Sequence, residues 1–155
     1  MRDLAIIEME AGNYEIGIKL LTQQALLDDK KSILYLAKIY FYGIWVTRNV
    51  EKAEYFLRKL VPDEISASIL LADLLVKECD EKAFQEGVRI YEKLVAFGNL
   101  EAMTKLVIIL KESKNKDNLI RAKELLTDIF DSPECSEELR ELMTKKIKVV
   151  KKLYD

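Results

Sequence analysis

The amino-acid sequence predicts an all-α protein built as a solenoid: about four helix-turn-helix repeats closed by a C-terminal capping helix. Three observations carry that expectation. Five Gly and two Pro in 155 residues leave few places where a helix must break, while Ala, Leu, Glu and Lys supply helix formers throughout. Apolar and small residues recur at helical spacing along nearly the whole chain, most clearly in SILYLAKIYFYGIWVTRNVEKAEYFLRKL, from Ser32 to Leu60. Compared with itself, the chain repeats with a period of about 34 to 36 residues, which is the length of a stacked helix pair.

Taken in order, a first helix is expected over about Arg2 to Ala11, packing through Leu4, Ala5, Ile7 and either Ile6 or Met9, and stopped by Gly12-Asn13. The second, Tyr14 to Leu27, places Tyr14, Ile16, Gly17, Leu20, Leu21 and Ala25 on one broad face and ends in Asp28, Asp29 and Lys30. The third, Lys31 to Tyr42, packs through Ile33, Leu36, Ala37 and Tyr40, and Gly43 stops it. After the turn Ile44 to Arg48, Asn49 caps the helix Val50 to Leu60, and Pro62 forbids its continuation. A helix from Glu64 to about Glu78 follows, presenting Ile65, Ile69, Leu71, Ala72, Leu75 and Val76. Asp80 then caps one running to Phe97, where Gly98-Asn99 ends it. Leu100 to Glu112 and Asn118 to Phe130 flank the polar turn SKNKD, Ser132-Pro133 closes the pair, and a last helix spans Ser136 to Tyr154. The expected organisation is a single domain over 1–155, with repeats at about 1–29, 30–63, 64–99 and 100–133 and a capping helix at 136–154.

Two anchors set the register of the repeats. On the first helix of each pair, Leu4-Ala5, Leu36-Ala37, Leu71-Ala72 and Leu106-Val107 lie 32, 35 and 35 residues apart. On the second, a small residue recurs at Gly17, Ala53, Gly87 and Ala122, at separations of 36, 34 and 35. A small residue is required where two helix axes cross closely, because a larger side chain would hold the backbones apart.

These residues carry a family resemblance. Leu36-Ala37-x-x-Tyr40-x-x-Gly43, followed by Val46, Asn49, Glu51-Lys52-Ala53 and Tyr55, resembles a Sel1-like repeat, and Gly98-Asn99-Leu100-Glu101-Ala102 resembles its repeat junction. The second repeat matches well. The third and fourth keep the helices without the glycine-rich turn, and Trp45 stands where the family usually has a second glycine. Tetratricopeptide arrays share nearly the same hairpin. The resemblance implies a right-handed solenoid that binds another protein or an extended peptide, with the first helix of each pair lining the concave surface. It also leaves open a role as an immunity protein that covers the active site of a toxin domain.

Composition narrows the function classes. With 25 Lys plus Arg against 27 Asp plus Glu, the chain has no basic surplus for general nucleic-acid binding. The absence of histidine removes the commonest acid-base group near neutral pH and the His-containing metal sites. Cys79 and Cys135 are far apart, belong to no CxxC pair, and are expected as free thiols. The glycines form no phosphate loop. Asp3, Glu8 and Glu10 interrupt any secretory apolar core, and no apolar run approaches the roughly 18 residues of a membrane span, so the expectation is a cytoplasmic, non-catalytic protein without cofactor, as a monomer or weak homo-oligomer.

With the Leu-Ala anchor as phase marker, the concave positions implied by the resemblance are Lys31, Leu34, Lys38, Phe41 and Tyr42 in the second repeat, and Ser66, Ile69, Asp73, Val76 and Lys77 in the third. In the fourth they are Glu101, Thr104, Ile108, Lys111 and Glu112. Leu34, Phe41, Tyr42, Ile69, Val76 and Ile108 would form an apolar strip rimmed by Lys38, Asp73, Lys77 and Lys111, the usual form of a protein interaction site. Tight winding of the array or the capping helix would instead bury it. Trp45 either folds onto the adjoining repeat or anchors a partner. Tyr35, Tyr55 and Tyr91 are expected on hairpin faces as structure. Lys145, Lys146, Lys148, Lys151 and Lys152 match the dipole of the last helix, with a phosphate-binding strip as the alternative.

Overall fold

The computed structural model describes residues 1–113 and 115–151, the last five of these by backbone alone. The described residues are all-α, with nine helices and no strand: α1 (Arg2–Glu10), α2 (Tyr14–Leu26), α3 (Lys30–Tyr42), α4 (Val50–Arg58), α5 (Ile65–Leu75), α6 (Glu81–Ala96), α7 (Leu100–Lys111), α8 (Lys116–Asp131) and α9 (Glu137–Lys151). They form two compact units, Met1–Gly87 and Val88–Asp155, and α6 contributes to both.

Helix ends follow from side chains that satisfy otherwise unpaired backbone N–H groups. Asp29 Oδ2 accepts from the Ser32 amide at 3.0 Å, Asn49 Oδ1 from Lys52 at 2.8 Å, Asp80 Oδ2 from Ala83 at 2.9 Å and Asn99 Oδ1 from Ala102 at 2.8 Å. Asp29, expected only as part of a polar terminus, is thus a helix cap, and it also accepts from the Ser32 hydroxyl, which keeps that buried polar group satisfied. α8 starts two residues earlier than the expected Asn118: Asn115 is its cap, the Oδ1 accepting from Asp117 N–H at 2.8 Å, and Asn118 lies inside the helix with its amide on Ser113 Oγ at 2.9 Å. Lys152 to Tyr154, expected to continue the last helix, lie outside the described residues.

In the first unit α1 packs on α2, α2 on α3, α3 on α4 and α4 on α5. The two sequence anchors meet inside the hairpins. A Cβ on Gly17 would collide with Met9 Cγ and lie 2.7 Å from Ala5 O, and one on Gly87 would lie 2.7 Å from Val76 Cγ1 and 3.1 Å from Ala72 O. Each glycine of a second helix therefore sits against the alanine of the preceding Leu-Ala pair, where a side chain has no room. Ala53 is fully buried at the corresponding place on α4. Leu36 and Leu71 are buried as expected, whereas Leu4 is exposed, since among the described residues no other helix covers that face of α1. Tyr14 and Ile16, expected on the packing face of α2, are also exposed; the buried stripe is Gly17, Leu21 and Ala25.

In the second unit α7 packs on α8, and α9 touches α7. Leu106 and Val107 of α7 and Ala122, Leu125 and Ile129 of α8 are buried, and Met143 seals α9. Tyr91, on the part of α6 within this unit, is fully buried, but Tyr35 and Tyr55 of the first unit are exposed, not core.

Each unit also carries a guanidinium fork. Arg58 Nη1 and Nη2 reach both carboxylate oxygens of Glu86 at 2.8 and 3.1 Å, and Arg121 Nε and Nη2 reach those of Glu92 at 3.1 and 2.8 Å. The hydrogen bonds that Arg58 donates to Glu86 and Arg121 donates to Glu92 raise the pKa of each arginine further, outweighing the opposing effect of partial burial. Paired forks of this kind fix orientation more than they add stability at a partly exposed site.

Candidate functional site

The residue that departs most from its own conformational preference is Trp45. Its φ of 62° lies in the left-handed region, where a side chain with a Cβ costs roughly 1–2 kcal/mol relative to glycine. The turn around it is held from both ends. Gly43, at φ 69°, lets the chain leave α3, and the last carbonyls of that helix are then used up: Ile39 O accepts from Ile44 N–H at 3.0 Å, Tyr40 O from Asn49 N–H at 2.9 Å, and Phe41 O from Arg48 Nε at 3.0 Å. Seven residues thus close the hairpin with little freedom left for Trp45.

The short 27–29 turn makes α2 and α3 antiparallel neighbours, so the start of α2 lies beside the end of α3. Tyr14 there stacks on Trp45, with ring centroids 6.1 Å apart and planes 19° from parallel. Tyr14 is 41% exposed and Trp45 40%. The two rings border an open groove of about 650 Å³ whose other walls are Gly12, Asn13, Glu15, Ile16, Ile18 and Val46. Glu15 is the single charged residue among them. From Asp3 to Ile18 the chain carries four acidic residues and no basic one, with Arg2 and Lys19 on either side.

The expected concave strip is only partly accessible. Tyr42 is 58% exposed, Lys31, Lys38 and Lys77 are exposed, and Leu34, Asp73 and Val76 are half-buried. Phe41 and Ile69 are corrections: at 8% and 6% exposed they belong to the core. The reason is that α3 packs against both α2 and α4, and α5 against both α4 and α6, so each is covered over more than one face. The ring of Phe41 serves as the edge-on support of Tyr42, at 4.8 Å between centroids. Ile108 and Lys111 are half-buried in the second unit. On α9, Lys145 and Lys146 are exposed; the side chains of Lys148, Lys151 and Lys152 lie outside what the structure describes.

Sequence reasoning singled out Trp45 and missed its neighbours Tyr14, Glu15 and Ile16. A signal was available. Gly17, Leu21 and Ala25 define the buried stripe at steps of four, and Ile16 falls about 100° off it. Both cysteines are free thiols, and among the described residues no three His, Cys, Asp or Glu side chains are placed to hold a metal. No helix among them is long and apolar enough to cross a membrane. Compared with known proteins, the chain matches no family model and no curated protein.

Proposed function

We propose that the chain is a non-catalytic interaction module of the cytoplasm, a right-handed α-solenoid of Sel1-like, tetratricopeptide-like repeats that captures another protein through an extended segment. The observation that carries this reading is Trp45: a strained, half-exposed indole held in a braced turn, stacked on Tyr14 and bordering an open groove. Aromatic side chains held rigid at a surface lose little entropy on contact and dominate the energetics of many interfaces. Tyr42, exposed at the end of α3, extends the aromatic surface toward the same turn.

The recurrent small residues at the helix crossings, Gly17, Ala53, Gly87 and Ala122, are what a repeat array requires, and they support the solenoid reading. The test is affinity capture from the native host with quantified recovery of the bound protein. Trp45→Ala with Tyr42→Ala should weaken capture by roughly 2 kcal/mol or more, with unchanged circular dichroism. Equal recovery by the double variant, or a turnover activity that stays with the purified protein, would sink the proposal.

A further inference from the structure

We propose that the groove bordered by Tyr14 and Trp45 takes an arginine of the partner's extended segment, its guanidinium lying against their exposed aromatic surface and its charge matched by Glu15. This deepens the interaction reading above and rests on it. Three observations select a cation of this shape. The two rings stack within 19° of parallel and their residues are 41% and 40% exposed, which leaves aromatic surface on the groove for a planar cation. Glu15 is the groove's charged residue, it is exposed, and among the described residues it has no ion pair or hydrogen-bond partner from another side chain. The stretch from Asp3 to Ile18 carries four acidic residues and no basic one; Asp3 is paired with Arg2 at 3.3 Å and Glu8 accepts from Asn13 Nδ2 at 2.8 Å.

Competing occupants fit less well. A phosphate, whether on a nucleic acid or an anionic membrane surface, would meet Glu15 and no lining cation. The partial positive charge at the start of α2 is matched by Glu15 in its first turn, so it does not turn the groove into an anion site. Lys19, next in sequence to Ile18, and Arg48, three residues after Trp45, do not line the groove, and Arg48 donates to Phe41 O. The walls Ile16, Ile18 and Val46 suit the methylene stem of an arginine and apolar side chains flanking it.

Trp45 is the chain's sole tryptophan, so its fluorescence reports this groove alone. The experiment titrates full-length protein with capped heptapeptides of Gly, Ser and Leu that differ only at the centre: arginine, its uncharged isostere citrulline, leucine, or glutamate. The arginine peptide should change Trp45 emission saturably, the citrulline peptide should bind roughly fivefold more weakly, and the glutamate peptide more weakly still. Glu15→Gln should remove a factor of roughly 2 to 3 from arginine binding alone, and raised salt should do the same. Circular dichroism of Glu15→Gln checks that the fold is retained. Equal binding of the arginine and citrulline peptides, or no effect of Glu15→Gln, overturns the proposal. Saturable binding led by the leucine peptide also overturns it, while leaving the groove as an interaction site. No response to any peptide overturns the arginine assignment, and the capture experiment above then decides the interaction reading separately.

Discussion

The hairpins α3–α4 and α7–α8 share a scaffold and differ in their turns. Both place a fully buried leucine on the first helix, Leu36 or Leu106, and a buried alanine on the second, Ala53 or Ala122. Both second helices start from an asparagine cap, Asn49 or Asn115. Yet α7–α8 is joined by a few polar residues tied together by Ser113 and Asn115, whereas α3–α4 uses a longer turn with two left-handed residues and an exposed indole. The hairpin therefore does not need a tryptophan in its turn. What the second unit omits is a measure of what the first unit carries beyond folding.

The largest expected effect tests the shared half of that comparison. Leu36→Ala and Leu106→Ala each empty a fully buried site and should each cost about 2–5 kcal/mol in chemical denaturation. A cost under about 1 kcal/mol at either position would mean that the two hairpins are not built alike, because packing a cavity-forming site that loosely contradicts its burial.

A medium effect separates the caps. Asp29 at the start of α3 and Asn99 at the start of α7 do the same work, and replacing either with alanine should cost about 1 kcal/mol near neutral pH. Only Asp29 titrates. Its hydrogen bond from the Ser32 side chain, the largest influence, holds its pKa below the ordinary 3.8. A depressed carboxylate stabilises above its unfolded-state pKa and loses that contribution as pH falls through the folded-state value. Thermal melts should therefore show the gap between wild type and Asp29→Ala shrinking on the acid side of 3.8, while the Asn99→Ala gap holds. Parallel behaviour of the two variants would break the distinction.

The smallest expected effect is the most informative about Trp45. Trp45→Gly removes a left-handed penalty of roughly 1–2 kcal/mol and loses a ring stack worth about 0.5–1.5 kcal/mol, so its melting point should stay near wild type. A loss above about 3 kcal/mol would show the indole to be structural, in the range expected for a buried aromatic.

The scaffold was legible because it rests on spacing. Ala72 and Gly87, read from the sequence as anchors on the two helices of the third repeat, touch, and the caps at Asn49, Asp80 and Asn99 stand where their side chains and the following apolar residues put them. The site was half legible. A phase marker on one helix predicts one exposed arc, but α3 is flanked by two second helices, so Phe41 went to the core while Tyr42, one residue on, remained outside. Tyr14 was hidden for the opposite reason. It continues the Gly17 stripe backward by three residues, yet at the first position of its helix that stripe has run past the packing surface. Its pairing with Trp45 depends on how α2 and α3 lie side by side, which no local pattern encodes.

Contacts in the first unit run from each helix to the next in sequence. Ordering α2 on α1, or α4 on α3, closes only a short loop, so little chain entropy is lost before apolar contacts form. Folding of such a unit can begin in any hairpin and spread to its neighbours. The Trp45 turn sits within one of those hairpins and is braced by that hairpin's own carbonyls, so its indole is in place as soon as α3 and α4 meet. Tyr14 joins it one docking step later, and only then is the groove complete.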